Sequence, residues 1–217
     1  MPRYEFTIGD IFPADDPVAR WLVTISAGLN DLLLANQHFR DSRAEHETLY
    51  FFRLASAHLW ELAKFITETY DSWDEIRAFV DGLQPQAREA LEAIRRVAKT
   101  GDLSTVGTEL VQIRDLFSHY QRMNPQVRDR PRDPITRALQ EVAENMGDVE
   151  VGVTFDDLRL GYADEVIGKT LMRLIPEEAD QQRVLEGLAE GVGHTLRFVD
   201  HALHAWLGPR RAILREV

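Results

Sequence analysis

Apolar residues return at intervals of three and four along most of this chain, the period of helices that bury one face. Asp16 before Pro17 reads as an N-cap followed by proline at the first helical position. The helix it opens is predicted to run to about His38, with Trp21, Ile25, Leu29 and Leu32 on one stripe. Asp41-Ser42 offers a cap for a longer helix, from about Arg43 to Tyr70, whose ladder includes Leu49, Phe52, Ala55, Leu59, Leu62 and Ile66. A shorter helix is predicted from Trp73 to Leu83, stopped by Pro85, and another from Pro85 to Ala98 that ends near Gly101. Ser104 caps a predicted helix from Thr105 to Met123. Its Val106, Leu110, Ile113, Phe117 and Tyr120 follow at steps of four, three, four and three, which defines a buried face. Asn124-Pro125 breaks that helix. An arginine-rich connection, Gln126 to Asp133, contains Pro131 and reads as an exposed loop, and a further helix spans Pro134 to Asn145.

The period changes to two only once. Val149, Val151, Val153 and Phe155 alternate with Glu150, Gly152 and Thr154, a strand pattern that fits a small hairpin with Leu158 to Tyr162. Two helices, Ala163 to Ile175 and Glu177 to Leu207, close the pattern. Short connections between so many helices favour antiparallel packing in a bundle. The expected fold is therefore all-α, an antiparallel helical bundle over residues 1–145. A C-terminal extension, residues 146–217, adds the hairpin near 149–162 and helices packed on the same domain.

Composition narrows the choices. Hydrophobic residues make up 44% of the 217 positions, too many for disorder and enough for a sizeable core. With no cysteine, disulfides, zinc-thiolate sites and thiol nucleophiles are excluded. The first residues, Met-Pro-Arg-Tyr-Glu-Phe-Thr, lack the apolar stretch of a signal peptide. No run approaches the ~18 apolar residues needed to span a bilayer, so the expected location is cytoplasmic, with no membrane partner. The net charge of −11 opposes generic nucleic-acid binding, which depends on neutralising phosphates. One window runs the other way. From Gln112 to Arg137, six arginines face three aspartates, a local charge of +3.

That window overlaps the predicted helix holding Ile113-Arg114-Asp115-Leu116-Phe117-Ser118-His119-Tyr120. An arginine, usually followed at once by a polar residue such as Asn, Asp or His, and separated from a histidine by four to six residues in all, resembles the signature of HEPN domains. These are helical bundles, many of them metal-independent ribonucleases. Arg114 fills the arginine position, Asp115 the polar one and His119 the histidine, while Ile113, Leu116, Phe117 and Tyr120 resemble the family's apolar frame. The motif covers eight residues, and the helical pattern is compatible with the family over about residues 15–145. Three other pairs share the loose spacing: Arg40 with His46, Arg53 with His58, and Arg197 with His204. Arg114 stands apart by lying within a predicted helix and preceding a polar residue of the preferred kind.

The resemblance implies a homodimeric endoribonuclease without metal or other cofactor, with RNA as substrate and an antitoxin or defence-system protein as partner. Its chemistry suits these residue types. The ribose 2′-OH attacks the adjacent phosphorus and leaves a cyclic phosphate. A histidine, with a pKa near 6.5, can take or give the proton at working pH. An arginine can neutralise charge building on the phosphorane. Asp115 and His119 lie one helical step apart, where a carboxylate favours protonated imidazole or fixes its tautomer. Arg114 and His119 are separated by about 140° around the helix. In the family two protomers bring their motifs together, which resolves that divergence. Arg122, Arg128, Arg130 and Arg132 are the expected contacts to RNA backbone. HEPN proteins paired with minimal nucleotidyltransferases carry a tyrosine two residues after the histidine. Here Gln121 holds that position, a departure that argues against that scheme.

Other constellations lead to weaker chemistry. His194, His201, His204 and Asp200 on the last predicted helix, with His58 and Glu61 on another, are metal-ligand types. Carboxylate-bridged bundles, however, use a Glu-x-x-His pair on two helices plus two further glutamates, whereas the order here is His-x-x-Glu and occurs once. Gly187, Gly191 and Gly193 make no phosphate loop, which requires Gly-Lys-Ser/Thr after its spacer. The alternative to an enzyme is a non-catalytic helical module that binds a nucleotide, RNA or a protein partner.

Overall fold

The computed structural model describes residues 4–100, 140, 141, 143, 145, 166, 168, 169, 178–213, 215 and 216. Among them the regular structure is helical apart from one two-residue strand at each end of the described range. In order these elements are β1 (Tyr4–Glu5), α1 (Ile8–Ile11), α2 (Pro17–Asp41), α3 (Glu45–Ser72), α4 (Asp74–Asp81) and α5 (Pro85–Thr100). They are followed by α6 (Glu178–Leu207), a 3₁₀ turn (Gly208–Ile213) and β2 (Arg215–Glu216). Every predicted helix inside the described residues is present, with ends within three residues of expectation. The hairpin expected near 149–162 and the helices expected over 105–123, 134–145 and 163–175 fall wholly or mostly outside the described residues.

The Asp16 carboxylate does cap α2, accepting hydrogen bonds from the amides of Val18 at 2.8 Å and Ala19 at 3.1 Å. Two free amides at the helix end are thereby satisfied. Asp41-Ser42 behaves differently from expectation. It finishes α2 rather than opening α3, because the Ser42 hydroxyl donates to the His38 carbonyl at 2.6 Å. The residue before α3 is Ala44, with no side-chain cap.

Core packing follows the stripes. Val18, Leu22, Ile25, Leu29 and Leu32 of α2 meet α3, whose inward face includes Phe52, Ala55, Leu59, Leu62 and Ile66. Trp21, near the start of α2, donates from Nε1 to Thr69 Oγ1 near the end of α3 at 2.9 Å. At the other end His38 stacks on Phe51 with centroids 4.7 Å apart, so the two helices run antiparallel. They approach closely at Gly28, where an added Cβ would lie 3.0 Å from the Leu62 side chain. Helix α6 packs on α2, α3 and α5. Its fully buried Phe198 meets the Trp21 ring edge-on at 6.1 Å, and the buried residues of all five longer helices form one continuous core.

A clasp joins residues distant in sequence. Trp206 near the end of α6 donates from Nε1 to the Ile11 carbonyl at 2.9 Å, a buried bond. Phe12 lies nearly parallel to the Trp206 ring, centroids 6.5 Å apart, and the Arg210 guanidinium sits 3.6 Å over that ring. Beside it β1 pairs antiparallel with β2, Tyr4 opposite Glu216 and Glu5 opposite Arg215. None of this carries a local sequence signal.

The expectation that no segment approaches a membrane span needs correction. An eighteen-residue window of α2 reaches a mean hydropathy of 1.3, so by length and composition the helix is apolar enough to cross a bilayer. Scattered polar residues such as Thr24, Ser26 and Asn30 interrupt the apolar run without lowering its average much. In the structure 44% of that window is buried inside the bundle, where its apolar stripe contacts α3 and α6.

Candidate functional site

The expected catalytic residues Arg114, Asp115 and His119, and the expected RNA contacts Arg122, Arg128, Arg130 and Arg132, lie outside the described residues. The competing arginine–histidine pairs are more fully described. Arg40 is exposed near the end of α2, and His46 lies in the first turn of α3. Arg53 and His58 are half-buried on α3. Arg197 and His204 are exposed on α6, where His204 Nδ1 lies 3.2 Å from Asp200 Oδ1 and 2.9 Å from its carbonyl oxygen. His204 is thus engaged with its own helix. Among the described residues no group of three or more His, Cys, Asp or Glu is placed to share a metal ion.

Two titratable residues of α6, Glu190 and His194, do line a recess. Between α3, α5 and α6 lies a cleft of about 60 Å³. Leu59 and Ala63 of α3, with Ile94 and Val97 of α5, form apolar walls. Arg96 of α5 and Glu190, His194 and Thr195 of α6 supply the polar lining. Small side chains create the space: Ala63, Ala93 and Gly191 stand where longer residues would close the helices together.

Helical spacing explains how α6 presents this set. Glu190 and His194 are four residues apart and therefore neighbours on the helix surface, as are Gly191 and Thr195. Thr195 is fully buried and its hydroxyl donates to the Gly191 carbonyl at 2.8 Å, so its proton is used within its own helix. Ser56 of α3 does the same with the Phe52 carbonyl at 2.8 Å.

His194 is the exception. Its Nδ1 is buried and meets no hydrogen-bond partner. Its pKa is held below the ordinary value near 6.5, first because burial penalises the charged ring and then because Arg197 and Arg96 repel it. Glu190 acts in the opposite direction. The imidazole is therefore a neutral hydrogen-bonding group in a partly dry recess with net positive surroundings.

In sequence His194 was grouped with His201 and His204 as a metal-ligand type, and the structure separates them. His201 does not line the cleft, and His204 is exposed beside Asp200. The signal in the sequence is the pair of small residues Gly191 and Thr195 on α6, which line the cleft together with the histidine.

No family model, curated protein or solved structure matches this chain.

Proposed function

We propose that this protein is a homodimeric, metal-independent endoribonuclease of HEPN type, working in the cytoplasm as a toxin or defence component with an antitoxin or similar protein partner. The observation that carries the proposal is the segment Arg114-Asp115-Leu116-Phe117-Ser118-His119. It places an arginine, a carboxylate and a histidine at the spacing used for cleavage by the substrate's own hydroxyl. An all-helical architecture over the described part of residues 15–145 is compatible with it. In this reading Arg114 stabilises charge on the phosphorane. His119 moves the proton of the 2′-OH or of the departing 5′-oxygen, and Asp115 orients the imidazole. Because about 140° of helix separates Arg114 from His119, a two-fold dimer supplies the second half of each site. Arg122, Arg128, Arg130 and Arg132 hold the RNA backbone against an overall charge of −11.

The second reading is a non-catalytic helical module for a nucleotide, RNA or a protein partner, and that same net charge favours its protein-binding form, since it repels phosphate backbones in general. Incubation of purified protein with diverse RNAs in excess chelator separates the two. The enzyme releases fragments ending in 2′,3′-cyclic phosphate, and a 2′-methoxy group at the cleaved position blocks the reaction. His119→Ala and Arg114→Ala each slow it on the order of 10²–10⁴-fold, while His58→Ala retains it. Intact RNA after removal of any bound partner leaves the non-catalytic module. Activity abolished by chelator removes the metal-independent mechanism.

A further inference from the structure

The outward face of α6 carries a pattern that complements itself. Two of the exposed large apolar residues stand on this helix, Leu185 and Leu196. They are eleven residues apart, three turns plus about 20°, so they share one edge of the face. Glu186 and Arg197, also exposed, repeat that spacing one residue further on and share the opposite edge. Between the two edges stand Ala189 and Gly193. A Cβ added at Gly193 would meet nothing within 4 Å, so packing against the described residues does not require glycine there. Glycine inside a helix is destabilising relative to alanine, and its use is to let something approach the backbone closely.

We propose that α6 packs antiparallel on α6 of a second copy of this chain, about a two-fold axis beside residue 191. The pairs Leu185–Leu196 and Glu186–Arg197 have midpoints one residue apart, so a single axis serves both. It sets Leu185 against Leu196 of the second copy, twice, along one edge. Along the other it sets Glu186 against Arg197 of the second copy, also twice, as an isologous interface requires. Ala189 and Gly193 lie at the centre, where small side chains let the two backbones approach. The alternative, a parallel two-fold pairing, sets each charged edge against an apolar one. Glu190, exposed on the charged edge close to the axis, is the group that opposes the pairing, because its two copies approach each other. The stretch from Glu186 to Arg197 is only about 17 Å long, too short for a large obligate interface, so the association is a weak one. It uses no residue assigned to cleavage. RNA left intact would therefore overturn the ribonuclease reading and leave this pairing standing.

Sedimentation equilibrium of the full chain should show monomer and dimer, with a dissociation constant on the order of 10 μM. Leu196→Glu should weaken the dimer by about 10-fold or more, and so should Arg197→Glu, which brings like charges together. Adding Glu186→Arg to Arg197→Glu restores opposite charges and should recover most of the affinity, a rescue that damage to the fold would not permit. Glu190→Gln should tighten the dimer by about 2–5-fold. Because the chain has no cysteine, a single introduced one reports the geometry. Ala189→Cys, near the axis, should be joined to its mate by a short bis-maleimide. His204→Cys, exposed further along α6, should not, since antiparallel pairing holds its two copies about 40 Å apart. A strict monomer at about 0.5 mM, far above the expected constant, overturns the proposal. So does a dimer whose constant is unchanged in Leu196→Glu, or one in which His204→Cys is joined as readily as Ala189→Cys.

Discussion

Helix α3 is covered on two sides, and the two are finished differently. Against α2 the backbones approach closely enough that Gly28 leaves only 3.0 Å between a notional Cβ and Leu62. There Trp21 also crosses to Thr69 with a hydrogen bond. One residue on from Leu62, Ala63 lines a cleft between α3, α5 and α6, where the hydroxyl of Thr195 turns back onto its own helix. The first side uses a small residue to bring helices together. The second uses small residues without closing the space, and a histidine is left beside it with Nδ1 unpaired. Glycine and alanine on a helix face are therefore ambiguous until the opposing residue is known, since they permit contact or create a void.

Four stability measurements test that contrast, all by chemical denaturation of the full chain. Phe198→Ala should have the largest effect, because Phe198 is fully buried against Trp21. A loss of about 3–5 kcal/mol is expected for truncating such a ring, and a loss below about 1 kcal/mol would show that α6 does not complete the core. Gly28→Val should come next, at about 1–3 kcal/mol, through overpacking against Leu62. Adding Leu62→Ala should recover part of that loss, and failure to do so would place the strain elsewhere.

The third comparison is pH dependence on the cleft side. The folded-state pKa of His194 lies below its unfolded value near 6.5, so the unfolded chain binds more protons between those two values. Stability from this group is fully present above about pH 6.5. It falls as pH drops from there toward the lowered folded pKa. His194→Leu should flatten that slope relative to wild type while leaving the rest of the profile in place. An unchanged slope would mean the ring is as easily charged in the folded state as in the unfolded one. The smallest effect belongs to the surface: Asp74→Asn breaks an exposed pair with Arg77 and should change stability by no more than about 0.5 kcal/mol.

Long helices were legible in the sequence because each carries its own repeated evidence. The α2 stripe recurs at Val18, Leu22, Ile25, Leu29 and Leu32, and Asp16 announces its start with a side chain that reaches two amides. Ser42 was misassigned because serine caps either end: its hydroxyl accepts from a following amide or, as here, donates to a preceding carbonyl. The pairing of β1 with β2 was invisible because two residues are too few to show a period. The cleft was invisible because sequence shows residue volumes but not the volume between them. Of the expected ribonuclease site, the residue chemistry of Arg114, Asp115 and His119 was readable, and those positions lie outside the described residues. The type of His194 is legible in the sequence, but its neighbours in the cleft come from α3 and α5, which no spacing along α6 reveals.

The hydrogen bond from Trp206 to Ile11 also sets a timetable. Those residues are 195 positions apart, so on the ribosome the early partner emerges long before the late one exists. At about 5–20 residues per second the interval is roughly 10–40 s. Throughout it Phe12, and Trp21 on the face that Phe198 later covers, remain open to water or to chaperones. The part of the α2 face that Phe198 covers is thus made early and sheltered late.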